Sequence, residues 1–285
     1  MPMPSSRRPE FDEAHLYEYP QHLKYAIESL PRAPGVYVFH GEEGDLPLYI
    51  GKSINLRHRV MSHLRTVEEA RMLRQTRRIS HIRTAGEIGA LLLEACMIKQ
   101  QQPLLNQKLR RNKQLCSLSL ADGVPAVVYS RDVNFATATE LYGLFSSRHG
   151  ALEGLRQLAD NNKLCYGALG LEKLTPGKPC FRAMLHQCAG ACRGDESAED
   201  HHARLLSSLQ ALKVNCWPYA GAVGLVERFE AEVQIHVINN WCYLGSVSAV
   251  SQARQLDVQA AGFDADGYKI LCRPVLSGTV EIVPL

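Results

Sequence analysis

No apolar run in these 285 residues approaches the roughly 20 that a membrane-spanning helix needs. No signal sequence is read at the start, so the expected compartment is the cytoplasm, with no membrane partner. Tandem repeats and low-complexity tracts are missing too, which argues against solenoid and fibrous architectures. Nine cysteines are an odd count for a secreted disulfide framework, and in a reducing cytosol they read as thiols or metal ligands. A nucleotide site is absent as well. Gly170 and Gly177 precede Lys178, but the spacing is too long for a phosphate loop, and Pro179 stands where Ser or Thr is required. Residues 220 to 285 hold no catalytic constellation, and His201, His202 and His236 read as surface or core histidines. What is left is an ordinary globular composition, 46% hydrophobic and 21% charged, long enough for about two or three small domains.

The charge is unevenly spread. Between Gly51 and Gln114 there are 14 Lys and Arg against four acids (Glu68, Glu69, Glu87 and Glu94), a local +10 that leaves −7 elsewhere in a chain whose total is +3. A positive field confined to one segment suits a polyanionic partner held through its phosphates. A merely soluble basic surface has the same composition.

The stretch from Pro34 to Leu64 organises the chain. Val36 and Val38 alternate with Tyr37 and Phe39 as a strand requires, Glu42 to Asp45 with Gly41 and Gly44 carries turn chemistry, and Leu48-Tyr49-Ile50 returns as the second arm of a hairpin. Gly51 ends that arm, and Ser53 or Asn55 can cap the helix that follows. On that helix Asn55, Arg59 and His63 form one stripe, beside an apolar stripe of Leu56, Val60 and Leu64. Two phenols, Lys52, Arg59 and His63 therefore converge on one small surface. A solvated basic helix beside a sheet with two structural tyrosines fits the same residues.

Glu87 to Gln101 reads as a second helix, apolar or small from Ile88 to Ile98 except for Glu94, and stopped by Pro103. A lone carboxylate on such a helix needs a cation, a hydrogen-bond network or exposure, and a salt bridge to a nearby arginine would serve equally. Glu87 is expected to face solvent. Cys165, Cys180, Cys188 and Cys192 form a further cluster, with Cys188 and Cys192 expected at i, i+4 on one helix face, a spacing that suits a shared metal. Small buried residues in a helical bundle are the other reading. Cys96, Cys116, Cys216, Cys242 and Cys272 lack such spacing and read as core.

Elsewhere the periodicity predicts helices over Tyr17–Leu30, Glu68–Arg78, Phe145–Lys163 and Ala198–Lys213 and a strand over Ile79–Thr84. Leu115–Leu120 and Val124–Tyr129 read as short strands around an Ala121-Asp122-Gly123 turn, and Trp217-Pro218-Tyr219 as a linker. Beyond it, strands are expected at Val233–Ile238, Trp241–Val247, Lys269–Pro274 and Thr279–Val283, with one helix near Gln252.

Gly35-Val36-Tyr37 followed by Tyr49-Ile50-Gly51, with Arg59 on the next helix, resembles the GIY-YIG nuclease motif. The longer LYIGKSINLRHRV is similar to the nuclease domain of UvrC, the bacterial excision-repair endonuclease. Over most of the chain, cysteines and tail included, the resemblance is to the short homologues of the UvrC/Cho family. It implies an α/β (α+β) fold: an N-terminal tail and helix over 1–30, a GIY-YIG domain with a small antiparallel sheet flanked by helices over 31–111, a helical cysteine-rich region over 112–216 and a small α+β region over 217–285. The UvrB-binding segment, second nuclease domain and paired helix-hairpin-helix motifs of full-length UvrC are not read here.

The resemblance also implies an activity, incision of damaged double-stranded DNA 3′ to a lesion, in concert with UvrB and UvrA. Leu91-Leu92-Leu93-Glu94 matches the family's LLLE helix, so Glu94 would hold Mg²⁺ or Mn²⁺, and Asn106 matches a downstream asparagine. Tyr49 is the candidate general base, whose pKa of about 10 would have to fall through nearby cations and metal-bound water; Tyr37 and Lys52 would orient the water and Arg59 would stabilise the transition state. His63 stands where UvrC usually has tyrosine, and its role as base or as hydrogen-bond partner stays open. Asn55, Arg57, Arg74, Arg77, Arg78, Arg110 and Arg111 are candidate DNA contacts. Cys165, Cys180, Cys188 and Cys192 would hold a [4Fe-4S] cluster, with Zn²⁺ the alternative; the first gap is longer than the family's, which sets Cys165 apart. Two other functions keep some of these features: mobile-element or restriction cleavage, and a non-catalytic DNA-binding module.

Overall fold

The computed structural model describes residues 23–42, 47–107, 109, 115–120, 123–256 and 262–285. The chain divides into two compact units, Met1–Arg110 with Glu227–Gln234, and Arg111–Val226 with Ile235–Leu285.

The first unit opens with α1 (Lys24–Glu28), then the strands β1 (Gly35–His40) and β2 (Pro47–Ser53). Helix α2 (Leu56–His63) follows, then a 3₁₀ turn (Val67–Glu69), α3 (Ala70–Gln75), β3 (Arg78–Arg83) and α4 (Glu87–Gln101). The sheet order is β2-β1-β3, antiparallel throughout. Alternation on β1 sorts its side chains to two cores, as period-two geometry demands. Tyr37 and Phe39 pack with Leu23, Ile27, Leu56, Val60 and Leu73 on one face. On the other, Val36, Val38 and Ile50 pack against Met97 and Ile98 of α4. Asn55 caps α2 by accepting from His58 N. The helix expected over Glu68–Arg78 is shorter and split, because Thr76 is extended and Arg78 already pairs with His40 on β1. Of the helix expected over Tyr17–Leu30, residues 17–22 lie outside the described residues, as do 43–45 of the hairpin turn and 121–122 of the later one.

In the second unit, β4 (Cys116–Ser119), β5 (Ala126–Tyr129) and β6 (Leu141–Phe145) form a sheet in the order β5-β4-β6. Helix α5 (Arg148–Asn161) starts only after its Ser147 cap, so Phe145 belongs to a strand rather than to the expected helix. Next come α6 (Phe181–Met184), α7 (Ala198–Leu209), β7 (Val223–Phe229), β8 (Glu232–Asn239), β9 (Cys242–Val247), α8 (Val250–Ala253), α9 (Ala265–Leu276) and β10 (Glu281–Pro284). The second sheet runs β10-β7-β8-β9, and Glu227–Gln234, the turn of its β7–β8 hairpin with the adjoining strand ends, is grouped with the first unit. The strand expected over Lys269–Pro274 is instead part of α9: Asp264 caps it, and Leu271 and Val275, one turn apart, are buried. A short apolar run fits either period, and the cap decides it. The expected linker is not one either. Trp217 is buried, with its ring edge-on to Trp241 at 4.9 Å.

Among the described residues, no helix is long and apolar enough to cross a membrane.

Candidate active site

Tyr37 on β1 and Tyr49 on β2 are diagonal across the hairpin, since Tyr37 pairs with Gly51 and Phe39 with Tyr49. Their ring centroids lie 6.3 Å apart, and the His63 ring sits 5.2 Å from one and 5.7 Å from the other. Gly51 makes this possible. A Cβ there would fall 2.3 Å from the Tyr37 hydroxyl, so any other residue would displace the phenol. The Tyr37 hydroxyl bonds His63 Nε2 at 2.5 Å. Burial holds the Tyr37 phenol well above its ordinary value, helped by Tyr49 and opposed by Arg59. Tyr49 is pushed up as well, by burial first and the Glu94 charge second, with Arg59 opposing.

Glu94 faces β2, and its Oε1 accepts from Lys52 N at 3.1 Å. Burial raises its pKa above the ordinary carboxylate range, against the pull of that N–H, of Lys52 and of Arg59. The Lys52 ammonium goes to Glu87, 2.6 Å away; Glu87 is exposed, as expected, but paired. A partly desolvated carboxylate with no side-chain ion pair among the described residues, on a basic surface, is a donor that fits a hard divalent cation, which needs only one or two protein oxygens. Asn106 is buried and bonds the Ile50 backbone in both directions, Ile50 N to Oδ1 and Nδ2 to Ile50 O, each at 2.9 Å. It thereby pins β2 between Tyr49 and Gly51.

Two residues of this unit escaped sequence reasoning. Glu69 accepts from His63 Nδ1. Glu227 accepts from Ile88 N at 3.0 Å and Gly89 N at 2.7 Å, which caps the helix bearing Glu94. A residue 138 positions away from its N–H partner leaves no local signal. Among the candidate DNA contacts, Asn55 is spent on its helix cap, while Arg74, Arg77 and Arg78 are exposed and Arg77 pairs with Glu42. Arg110 and Arg111 lie outside the described residues. A pocket of about 390 Å³ lined by Arg74, Arg77 and Leu48 includes none of Tyr37, Tyr49, His63 and Glu94.

In the second unit the sulfurs of Cys165, Cys180 and Cys192 lie within 4.8 Å of one another, Cys165 and Cys180 at 3.7 Å. Cys165, set apart by its spacing, is fully buried at the centre, with its N–H held by His201 Nε2 at 3.0 Å. Cys188 packs against the group but is not on a helix with Cys192. Gly190 is left-handed between them, and only a 3₁₀ turn, Ala191–Arg193, carries Cys192. Burial raises the Cys192 thiol to about 11. Burial opposes ionisation of Cys180 too, yet the backbone N–H groups of Ala183 and Gly167 hold it below its ordinary value.

Three family models match in succession: a UvrC-like GIY-YIG domain over residues 33–107, a UvrC/Cho excinuclease middle domain over 113–211 and an excinuclease Cho C-terminal domain over 222–285. The excinuclease Cho of Escherichia coli K12 is 57% identical over 281 residues, covering 99% of this chain and 95% of that protein. That of Salmonella typhi is 55% identical, with 99% and 96% covered. A crystal structure of the GIY-YIG N-terminal endonuclease domain of UvrC from Thermotoga maritima, bound to magnesium, matches 31% of this chain and 99% of that one, at 31% identity and a TM-score of 0.29.

Proposed function

The chain belongs to the UvrC/Cho family of excinucleases, and from that premise we propose that it incises damaged double-stranded DNA on the 3′ side of a lesion by metal-assisted hydrolysis. It is an endonuclease of nucleotide excision repair. The observation that carries the catalytic reading is that Tyr37, Tyr49 and His63 gather beside β2, with Arg59 near the Tyr37 phenol, while Glu94 accepts from the Lys52 N–H of the same strand.

Phosphodiester hydrolysis needs a nucleophile relieved of a proton, a clamp on the developing charge and help for the leaving oxygen. In this reading Tyr49 takes the proton of the attacking water, and Tyr37 and Lys52 orient that water. Arg59, on the exposed side of α2, meets the charge that accumulates on the phosphate, and Asn106 keeps β2 in register beneath it. A divalent cation, Mg²⁺ or Mn²⁺, held at Glu94 would supply further charge stabilisation. The basic surface of Arg57, Arg74, Arg77 and Arg78 contributes affinity through backbone phosphates, independent of sequence.

The four cysteines are proposed as a metal centre. The resemblance points to an iron–sulfur cluster. Cys165, Cys180 and Cys192, whose sulfurs lie within 4.8 Å of one another, would hold a Zn²⁺ ion equally well, with Cys188 packed against them. Anaerobically purified protein that is brown, with matched iron and sulfide, identifies the cluster; colourless protein containing zinc identifies the ion.

The deciding experiment is incision of an end-labelled duplex with one site-specific lesion, with and without UvrA, UvrB and ATP. A single cut 3′ to the lesion that requires the added proteins is the expected result. Cutting of undamaged duplex at fixed sequences without them would place the activity with restriction or mobile-element nucleases.

A further inference from the structure

Both phenols of the site are held in their protonated form by burial, so a proton taken up at Tyr49 needs somewhere to go. The Tyr49 and Tyr37 rings lie side by side with centroids 6.3 Å apart, the Tyr37 hydroxyl lies 2.5 Å from His63 Nε2, and His63 Nδ1 bonds the Glu69 carboxylate. A carboxylate can only accept, so Nδ1 carries a proton and Nε2 of the neutral ring is left as the acceptor facing Tyr37. The charged and titratable groups around the ring are Tyr37 from β1, Tyr49 from β2, Arg59 from α2 itself and Glu69 from the 3₁₀ turn. Burial keeps the ring below its ordinary pKa, with Glu69 pulling the other way and Arg59 adding to the lowering. The imidazole is 2% exposed and the Glu69 side chain 31%, so the chain of groups has one end in water.

We propose that Glu69 is a positioning residue that fixes the His63 tautomer and completes a Tyr49–Tyr37–His63–Glu69 proton relay for the incision step. The proposal rests on the reading of this face as the nuclease site. As the water oxygen bonds to phosphorus and the bond from phosphorus to the leaving sugar oxygen breaks, the water's proton passes to the Tyr49 oxygen. The Tyr49 proton moves to Tyr37, and that of Tyr37 to His63 Nε2. The imidazolium is held by Glu69 and later releases its proton to solvent, while the leaving oxygen takes one from solvent. No group other than the phosphodiester is changed at the end of the cycle. Glu69 is six residues beyond His63, a separation at which two residues of one helix do not share a face. The break in the helix at Leu64, followed by the 3₁₀ turn, brings them together.

The test is single-turnover incision of the damaged duplex across pH, at saturating Mg²⁺, for Glu69→Ala, Glu69→Gln, His63→Ala, the double variant and a Glu68→Ala control. Glu69→Ala should slow incision about tenfold or more and move the acid limb of the pH profile to lower pH, since the carboxylate that pulls His63 upward is gone. Glu69→Gln, which keeps an acceptor for Nδ1, should recover part of the rate. The double variant should be no slower than His63→Ala alone, because one relay cannot be broken twice. Full activity of Glu69→Ala, a loss with an unmoved acid limb, or losses that add in the double variant would each overturn the proposal. Glu94→Gln in the same assay keeps the two levels apart. If Glu94→Gln still cuts, the reading of the site fails; if it is inactive while Glu69→Ala behaves as wild type, the relay alone fails.

Discussion

On the first unit, Tyr37, Tyr49 and Glu94 project from two paired strands and a 15-residue helix, whereas Cys165, Cys180 and Cys192 sit on chain stabilised by a four-residue helix and one 3₁₀ turn. Both places collect groups that folding alone would avoid, a buried carboxylate in one and close-packed thiols in the other. The consequences differ. A scaffold of sheet and long helix can hold one unfavourable side chain against its preference, so the face that bears Glu94 is preorganised, and replacing that carboxylate is expected to leave the fold intact. The cysteine loop has little regular structure of its own, so a bound metal would contribute directly to its folding.

Removing Glu94 tests the first half of that contrast most severely. Glu94→Gln should drop incision to below about a hundredth while DNA affinity, measured by titration without cutting, stays nearly unchanged. The same variant should melt higher than wild type at neutral pH. Burial raises the folded pKa of Glu94 above its unfolded value, so the ionised form is disfavoured by folding, and that cost is absent once the group is protonated in both states. The gain in melting temperature should therefore vanish below roughly pH 4. A variant that melts lower at pH 7 would mean that Glu94 holds the fold rather than the cation.

Tyr49→Phe keeps the ring packing and removes the oxygen, so the rate should fall by about 10² with melting nearly unchanged. Arg59→Ala should fall comparably and Arg59→Lys recover only part, since a point charge does not reproduce the guanidinium fork. Normal cutting by Tyr49→Phe would move the base to His63. For the cysteine loop the order of effects reverses. Cys165→Ser and Cys192→Ser should lower the melting temperature by several degrees, more than the Cys242→Ser control, and native protein should alkylate slowly at these thiols until a chelator is added. Rapid alkylation with neither iron nor zinc bound would reduce the cluster to packing residues. The smallest effect is expected at Glu227→Ala, about 1 kcal/mol of stability from the lost cap on α4, read as a shift in urea midpoint, with Glu227→Gln retaining part of it.

The hairpin, the caps and the helix over Glu87–Gln101 were legible because their signals are local: alternation at Val36 to Phe39, Asn55 ahead of an apolar stripe, Pro103 after a long apolar run. Lys269–Pro274 misled because six residues of mixed character fit either period, and the deciding contact, Asp264 capping α9, lies outside the run. Cys188 and Cys192 misled in the other direction. Their spacing permits a helix, but Gly190 between them adopts a left-handed conformation.

By itself, the sequence determined the two strands and helix of the nuclease motif, the concentration of positive charge around them and the four cysteines, because residue type and short-range period are sufficient for each. Tertiary structure decided what surrounds those groups. It set Glu69 on His63 and Glu227 on the helix of Glu94, and it raised the two phenols and the carboxylate above their ordinary values. Desolvation and hydrogen bonds between residues far apart in the chain are properties of the packed molecule, and they have no counterpart in the spacing of its residues.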